Sequence, residues 1–527
     1  MKKSQNKILD FHYPVFIPAA LIILIFVSVA IILGEPLSDF FLEIRNLIYD
    51  KIGWFFVFTV NTLLVVAILL AFSKFGKIKL GGRSASPDFS NFAWYSMLFS
   101  AGMGIGLIFY GVAEPIQHFA VPPIPVNGEV DAAKQAFKFT FLHYGLHPWA
   151  VYGMIALAFA FFTFNRKLPL TVRSLFAPLL GKRINGIFGH VVDTLAVIAC
   201  LFGLATTLGF GAQQVGSGLH FLFGIENSVR NQIIFISITT LLATASIVSG
   251  LDKGVKMLSE LNIKIAVVFM LLMLIIGPTV FLLDSFLENI GLYVQNIIEL
   301  GTYTEVYAET KWQNNWTIFY WAWWIAWSPF VGIFIARISK GRTIREFLTG
   351  VVILPTVFSF LWFTVFGSSA IHLELNHLAD ISGAVSKDIS TALFEMLKNY
   401  PFSSILSVIA ILLIISFFVT SSDSGSLVVD FITTGGKLDA PVGTRIFWAL
   451  IEGLLAISLL IGGGLSTLQT TVMLAAFPFA IILLVMTFSL LKGLRRERLR
   501  NLRYKVKRNA RVQTTQIERF IEDQEDE

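Results

Sequence analysis

Twelve apolar stretches run through this chain, at 13–34, 52–72, 91–112, 137–164, 190–221, 230–250, 261–283, 316–338, 350–371, 402–430, 445–461 and 466–492. Most approach or exceed the roughly 20 residues that a bilayer-spanning helix requires. No other feature constrains the fold as tightly, because hydrocarbon offers no partner for backbone N–H and C=O groups, and a helix satisfies its own. The expectation is an all-α membrane protein with twelve transmembrane helices. Composition agrees: 55% of the 527 residues are hydrophobic and 14% charged, far from the averages of soluble domains.

Charge tests the count independently, since inner loops collect Lys and Arg. With the amino terminus inside, the inner segments (1–12, 73–90, 165–189, 250–264, 337–346, 431–445 and the tail) hold 32 of the 40 basic residues. The outer loops are acidic, with Asp284, Glu288, Glu299, Glu305 and Glu309 before the eighth span. Both termini are therefore expected in the cytoplasm. Lys2, Lys3 and Lys7 before the first run resemble a signal-peptide start, but no small-residue cleavage site follows, so this run is read as a retained helix. Cys200 is the only cysteine, which excludes disulfides and cysteine-based metal sites. The net charge of +6 lies mostly at the inner face and argues for topology rather than a nucleic-acid partner. Phe286 to Leu300 has helical apolar spacing with acids between, the pattern of an amphipathic helix on the outer surface. The basic run Arg495 to Arg511, followed by EDQEDE, reads as a solvated helix held inside by its charge or as a sensor pressed on anionic lipid.

The third span contains AGMGIG, Ala101 to Gly106, and ends in Glu114-Pro115. Alternate glycines weaken a helix and admit close approach of backbone or ligand, or they serve tight helix packing. Five spans later, Ser328-Pro329 lies mid-span in the eighth. An interruption is expected there too, because proline removes a backbone hydrogen bond. Five is odd, so a second set of five spans enters the membrane in the opposite sense. Paired interruptions point to an inverted repeat of spans 3–7 and 8–12, with a transport site near the midplane. The segments are then 1–12 (inner terminus), 13–90 (two additional helices), 91–283 (first repeat), 284–315 (outer loop), 316–493 (second repeat) and 494–527 (tail).

YWAWWIAWSPF, Tyr320 to Phe330, places four of the eleven tryptophans within seven positions. Trp316 and Trp321 suit an interfacial anchor belt. Trp323, Trp324 and Trp327 share a face and reach mid-span, which anchoring does not require. In the fourth span, HYGLHPWAVY supplies Trp149 and Tyr152 on one face, while Tyr144 joins them only if Pro148 distorts the helix. Between Lys138 and Arg166, and again between Lys311 and Arg337, there is no Lys or Arg beside these aromatics. A trimethylammonium group has no N–H to donate and is satisfied by aromatic faces, each worth about 0.5–2 kcal/mol. Aromatic packing between helices is the other reading. No metal cluster or nucleophile constellation points to an enzyme.

AGMGIGLIFYGVAEP, LHPWAVYG and, above all, YWAWWIAWSPFVGIFIARISKGRTIREF (Tyr320 to Phe347) resemble the betaine/carnitine/choline transporter family, over essentially residues 10–490. The resemblance implies a LeuT-like fold of two inverted five-helix repeats preceded by two extra helices, and a homotrimer. It also implies a bacterial plasma (inner) membrane, no cofactor, and carriage of quaternary ammonium compounds. Proton-coupled choline members place an aspartate where this chain has Gly106, and sodium-independent exchangers place an arginine and a methionine where sodium binds. This chain has no arginine in the fifth span and has Val331 in the eighth, which points to sodium-coupled uptake of glycine betaine for osmoprotection. Carriers of ectoine, proline and dimethylsulfoniopropionate share most of the pattern.

Rival readings are proton-coupled choline uptake, carnitine/betaine exchange and, from a different class, a channel or ligand-binding osmosensor. The methylated head is expected among Tyr144, Trp149, Tyr152, Trp323, Trp324 and Trp327, with the carboxylate at the backbone of Gly102, Met103 and Gly104. In the tenth span, Phe417, Thr420 and Ser421 share one face, and the resemblance sets the carbonyls of Ser100 and Met103 opposite as a sodium site. A second sodium is implied at Thr206 or Thr207 with Phe330. Ala326, where many relatives have serine, is expected to loosen carboxylate recognition. Asp423 and Glu452 are acids inside spans, a pattern that defaults to function, although serine neighbours satisfy Asp423 structurally. His143 and His147 are read as structural, with proton involvement as the other reading.

Overall fold

The computed structural model describes residues 10–102, 104–248, 252–308, 310–437 and 441–525. They are all-α, and among them the only strand-like pairing is the isolated bridge between Lys79 and Thr343. The long helices are α1 (Tyr13–Leu33), α2 (Glu35–Phe72), α3 (Asn91–Gly102), α4 (Ile105–Ala120), α5 (Glu129–Tyr144), α6 (Leu146–Ala160), α7 (Ile187–Phe223) and α8 (Val229–Val248). They continue as α9 (Asp252–Ile276), α10 (Thr279–Thr302), α11 (Phe319–Ile338), α12 (Ile344–Phe363), α13 (Ser403–Thr433), α14 (Val442–Ile461) and α15 (Gly464–Glu525).

Ten helices among the described residues are long and apolar enough to cross a membrane, and an eleventh follows if α9 and α10, bent by 113°, are taken as one span. The third expected span is present as two helices, α3 and α4, of 12 and 16 residues, each too short to cross alone. The seventh ends at Ile276 rather than at 283, because Gly277-Pro278 stops it. The outer amphipathic helix is correspondingly longer than expected and starts at Thr279.

One expected interruption is absent: α11 runs unbroken through Pro329. Proline removes the N–H that the carbonyl of Ile325 would accept, and the Ser328 hydroxyl donates to that oxygen instead, at 2.7 Å. The sequence supplies its own repair one residue before the fault. The unexpected break lies in the fourth span, at Gly145 between α5 and α6. A Cβ there would stand 2.3 Å from the Phe141 carbonyl oxygen, so only glycine fits. Leu146 N–H, freed by the break, donates to the Tyr293 hydroxyl of α10 at 3.2 Å. Two consecutive spans, not two corresponding ones, are thus broken side by side.

At the end where positive charge collects, Thr343 and Glu346 form a reciprocal capping box that starts α12. Arg173 binds Asp193 through its backbone N–H at 2.8 Å and its guanidinium at 3.4 Å, and donates to His12 at 2.8 Å. The last helix, α15, extends 62 residues and carries the basic tail. Its root is docked by buried Glu497, which pairs with Arg166 at 3.2 Å, and by Arg83 over the Tyr504 ring at 4.4 Å.

Candidate functional site: an aromatic cavity at two broken helices

The breaks in α3–α4 and α5–α6 open onto one cavity. All six aromatic residues singled out from the sequence line it: Tyr144, Trp149, Tyr152, Trp323, Trp324 and Trp327. Gly104 lines it as well, with extended backbone and nothing within 4 Å of a Cβ placed there.

The break at Gly145 is what brings Tyr144 and Trp149 to the same space, rather than a kink at Pro148, which lies in the first turn of α6 where proline is tolerated. It also leaves the His143 carbonyl at a helix end, and the Trp324 indole N–H donates to it at 2.9 Å. Trp323 and Trp324 stack with ring centres 5.0 Å apart, while Tyr144 and Tyr152 meet Trp324 edge-on at 5.4 and 6.1 Å. Trp149 stands edge-on to Tyr152 at 5.4 Å. Aromatic rings lining a cavity attract a cation through their electron-rich faces. The indole N–H groups of Trp323 and Trp327 and the Tyr152 hydroxyl have no partner among the described residues, so the walls also hold uncommitted donors.

Three lining positions carried no expectation. Ile105 and Leu107 border the α4 break, and Ser359 comes from α12 as a lone hydroxyl in an apolar run. Conversely, Ala326 is fully buried, does not line the cavity and faces Gly203 of α7, so its expected role beside the carboxylate is not supported. Trp321 is not an interfacial anchor: it is wholly buried and stacks on His147 at 5.6 Å. Trp316 is half-buried against His118 at 4.5 Å.

Among the candidate sodium ligands, Met103 lies outside the described residues, as do the side chains of Ser100 and Gly102. On α13, Phe417 is buried and Ser421 half-buried, and the Thr420 hydroxyl donates to the carbonyls of Ser416 and Phe417 at 3.0 and 3.2 Å. The second set divides. The Thr206 hydroxyl donates to the carbonyls of Phe202 and Leu468, at 2.8 and 3.0 Å, whereas Thr207, whose hydroxyl donates to the Gly203 carbonyl at 3.1 Å, lines the cavity. Phe330 sits edge-on to Trp327 at 5.1 Å. Asp423 forms an ion pair with Arg445 and accepts from Ser246 at 3.2 Å, and Glu452 accepts from Ser422 at 3.0 Å.

Residues 14–499 match the betaine/carnitine/choline family of transporters. The chain belongs to that family. Its members are transporters, not enzymes. The chain is 47% identical to glycine betaine transporter 1 of Vibrio parahaemolyticus, over 93% of this chain and 95% of that one. It is 43% identical to a glycine betaine/proline/choline transporter of the same organism, over 92% and 90% of the two chains. It is likewise 43% identical to the glycine betaine transporter OpuD of Bacillus subtilis, over 89% and 91%. This member of the betaine/carnitine/choline family is a multi-pass membrane protein.

Proposed function

We propose that the chain imports glycine betaine, or a closely related quaternary ammonium osmolyte, by sodium symport, for osmoprotection. One observation carries the substrate class: six aromatic side chains from three helices line a single cavity that no Lys or Arg among the described residues borders. Such a wall suits a cation with no N–H to donate. The unpartnered donors of Trp323, Trp327 and Tyr152 suit the carboxylate at the other end of a betaine, together with the backbone around Gly104. The names of the relatives, glycine betaine carriers in both Vibrio and Bacillus, favour the same substrate.

Sodium rather than proton coupling is favoured by Gly106. A Cβ there would stand 2.7 Å from the Trp323 ring, leaving no room for an acidic side chain without moving that indole. Sodium at Ser100, Met103, Phe417, Thr420 and Ser421 would stabilise the break between α3 and α4, so ion and substrate binding reinforce each other through one segment. Thr207 with Phe330 is the better candidate for a second ion. The remaining architecture of the reading is a twelve-span inverted repeat with both termini inside a bacterial plasma membrane, a homotrimer, and a tail pressed on anionic lipid.

Uptake of labelled glycine betaine into proteoliposomes, with sodium replaced by potassium, tests the coupling. Accumulation that needs the sodium gradient supports symport, whereas accumulation driven by a proton gradient or by internal carnitine replaces it. Competition by choline, carnitine, ectoine and proline ranks the substrates. Absence of counterflow would place the protein among channels or sensors.

A further inference from the structure

Behind the aromatic wall, on the side of the loop joining α4 to α5, lies a fully buried cluster of Glu114, His118 and His143. Glu114 Oε1 is 2.6 Å from His143 Nδ1 and 3.3 Å from His118 Nε2. The Tyr320 hydroxyl donates to Glu114 Oε2, and His143 Nε2 meets the Thr317 hydroxyl at 2.9 Å. These three ligand-type residues invite a metal reading. However, two ligands on one tetrahedral zinc with bonds of about 2.1 Å stand roughly 3.4 Å apart. The 2.6 Å separation is that of a hydrogen bond with a proton in it.

The cluster is wired to the cavity. Tyr320 is within 3.3 Å of the Tyr144 hydroxyl, which also donates to the Gly106 carbonyl at 3.3 Å, and both Tyr144 and Gly106 line the cavity. Tyr320 stacks on Trp324 at 5.8 Å, and His143 provides the carbonyl that holds the Trp324 indole. A change of charge at Glu114 is therefore separated from the substrate space by a single layer of phenol and indole.

Two protonation states keep every one of these hydrogen bonds. With Glu114 ionised, Oε1 accepts from His143 Nδ1–H and His118 Nε2–H, Oε2 accepts from Tyr320, and Thr317 donates to His143 Nε2; the cluster carries one negative charge. One proton taken up from water settles on His143 Nε2, the Thr317 hydroxyl turns to accept it, and the cluster becomes neutral. Neighbouring elements present Tyr110 from α4, Tyr144 from α5, His147 from α6, and Trp312 and Trp316 before α11. From α7, Gln214 donates to the Ile108 carbonyl. The short helices at 381–397 reach α4 through Gln117 and the Val385 carbonyl, with Asp388 turned to Ser390 and Glu395 to Lys398. Among the described residues no Lys or Arg forms an ion pair with Glu114.

We propose that Glu114, linked to Tyr144 through Tyr320, is a counter-charge for the quaternary nitrogen that His143 neutralises by taking up a proton, and that the net charge of the cluster sets the preference for a net-cationic osmolyte over a zwitterion. A lone positive charge such as choline gains from the negative state, whereas a betaine, whose carboxylate cancels much of the field, gains less. The proposal rests on the quaternary ammonium reading of the cavity.

The test is equilibrium binding of labelled choline and glycine betaine to the purified full chain in lipid nanodiscs, at fixed sodium, over the range where imidazole titrates, about pH 5 to 8. The choline-to-betaine affinity ratio is expected to rise about tenfold from the acid to the alkaline end, equivalent to about 1.4 kcal/mol. Glu114→Gln should hold the ratio flat at its acid value. His118→Asn, which keeps the carboxylate, should move the midpoint of the profile without abolishing it, and decides the matter if Glu114→Gln does not fold. A ratio that is flat in the unaltered protein, or a profile that neither variant changes, overturns the proposal while leaving the quaternary ammonium reading intact. Failure of both ligands to bind at any pH removes that reading and the proposal with it.

Discussion

The indoles of Trp323 and Trp324, adjacent in sequence, lie 9° from parallel with centres 5.0 Å apart. Neighbours on a helix project about 100° from each other, so these side chains must fold towards one another to stack. The result is a wall two rings thick. Trp323 is backed by Phe210 at 5.1 Å, and Trp324 faces the cavity and is pinned by the His143 carbonyl.

Trp324→Leu removes a ring face and leaves that carbonyl without its donor. Uptake of labelled betaine should fall at least about tenfold, the loss of one cation–π contact of about 1–2 kcal/mol, with the chain still monodisperse in detergent. Trp321→Leu should behave oppositely. It opens a void beside His147 and costs about 2–3 kcal/mol of stability, seen as a lower melting temperature, with the apparent affinity for betaine nearly unchanged.

Gly145→Ala should be more damaging than any single ring deletion. Its Cβ meets the Phe141 backbone oxygen at 2.3 Å and the Tyr293 hydroxyl at 2.8 Å, and the backbone clash cannot be relieved by a side-chain rotation. Loss of uptake together with a reduced melting temperature is the expected outcome. Normal transport by this variant would mean that the break is dispensable.

Thr206 and Thr207 can be told apart. Thr206→Ala deletes a hydroxyl that tethers α7 to the Leu468 carbonyl of α15, a loss of about 1 kcal/mol in stability. Thr207→Ala alters the cavity wall. Titration of uptake with sodium should give a raised half-saturating concentration for Thr207→Ala and an unchanged one for Thr206→Ala.

His12, outside the first span, has its pKa lowered from 6.5 to about 4, first by burial and then by the Arg173 guanidinium beside it. Its neutral form is the one that accepts from Arg173. Because the folded value is the lower one, the tether is fully present above pH 6.5 and is lost as pH falls through about 4. Amide exchange at the start of α1 should accelerate across that window in acid, and His12→Gln should remove the dependence.

The aromatic lining of the cavity was legible because it is compositional: tryptophans at helical spacing gather on one face of the eighth span, and that face lines the cavity. Where the backbone breaks was legible only in part: the glycine run Ala101 to Gly106 marked the division between α3 and α4, but the second break was misplaced. Pro329 looked like a fault and is repaired by the preceding serine, whereas Gly145 looked ordinary among 40 glycines and is the true break, for a reason that depends on the Phe141 carbonyl and on Tyr293, 148 residues later. Glu114 and His143 were visible, but their meeting across α4 and α5, with His118 one turn further on, depends on helix packing that no local pattern encodes. Ser359 was hidden for the same reason, as one hydroxyl in an apolar run with nothing nearby in sequence to mark it.

Tyr293 belongs to α10, the helix that turns 113° away from its predecessor and exposes Leu287, Val294 and Ile298 on its outer side. Its hydroxyl is also the partner of Leu146 at the fracture that shapes the cavity. A helix with an exposed apolar flank thus supplies the hydrogen bond that satisfies the broken backbone beside the cavity. Any shift of α10 relative to the fracture must either carry Leu146 along or break that bond.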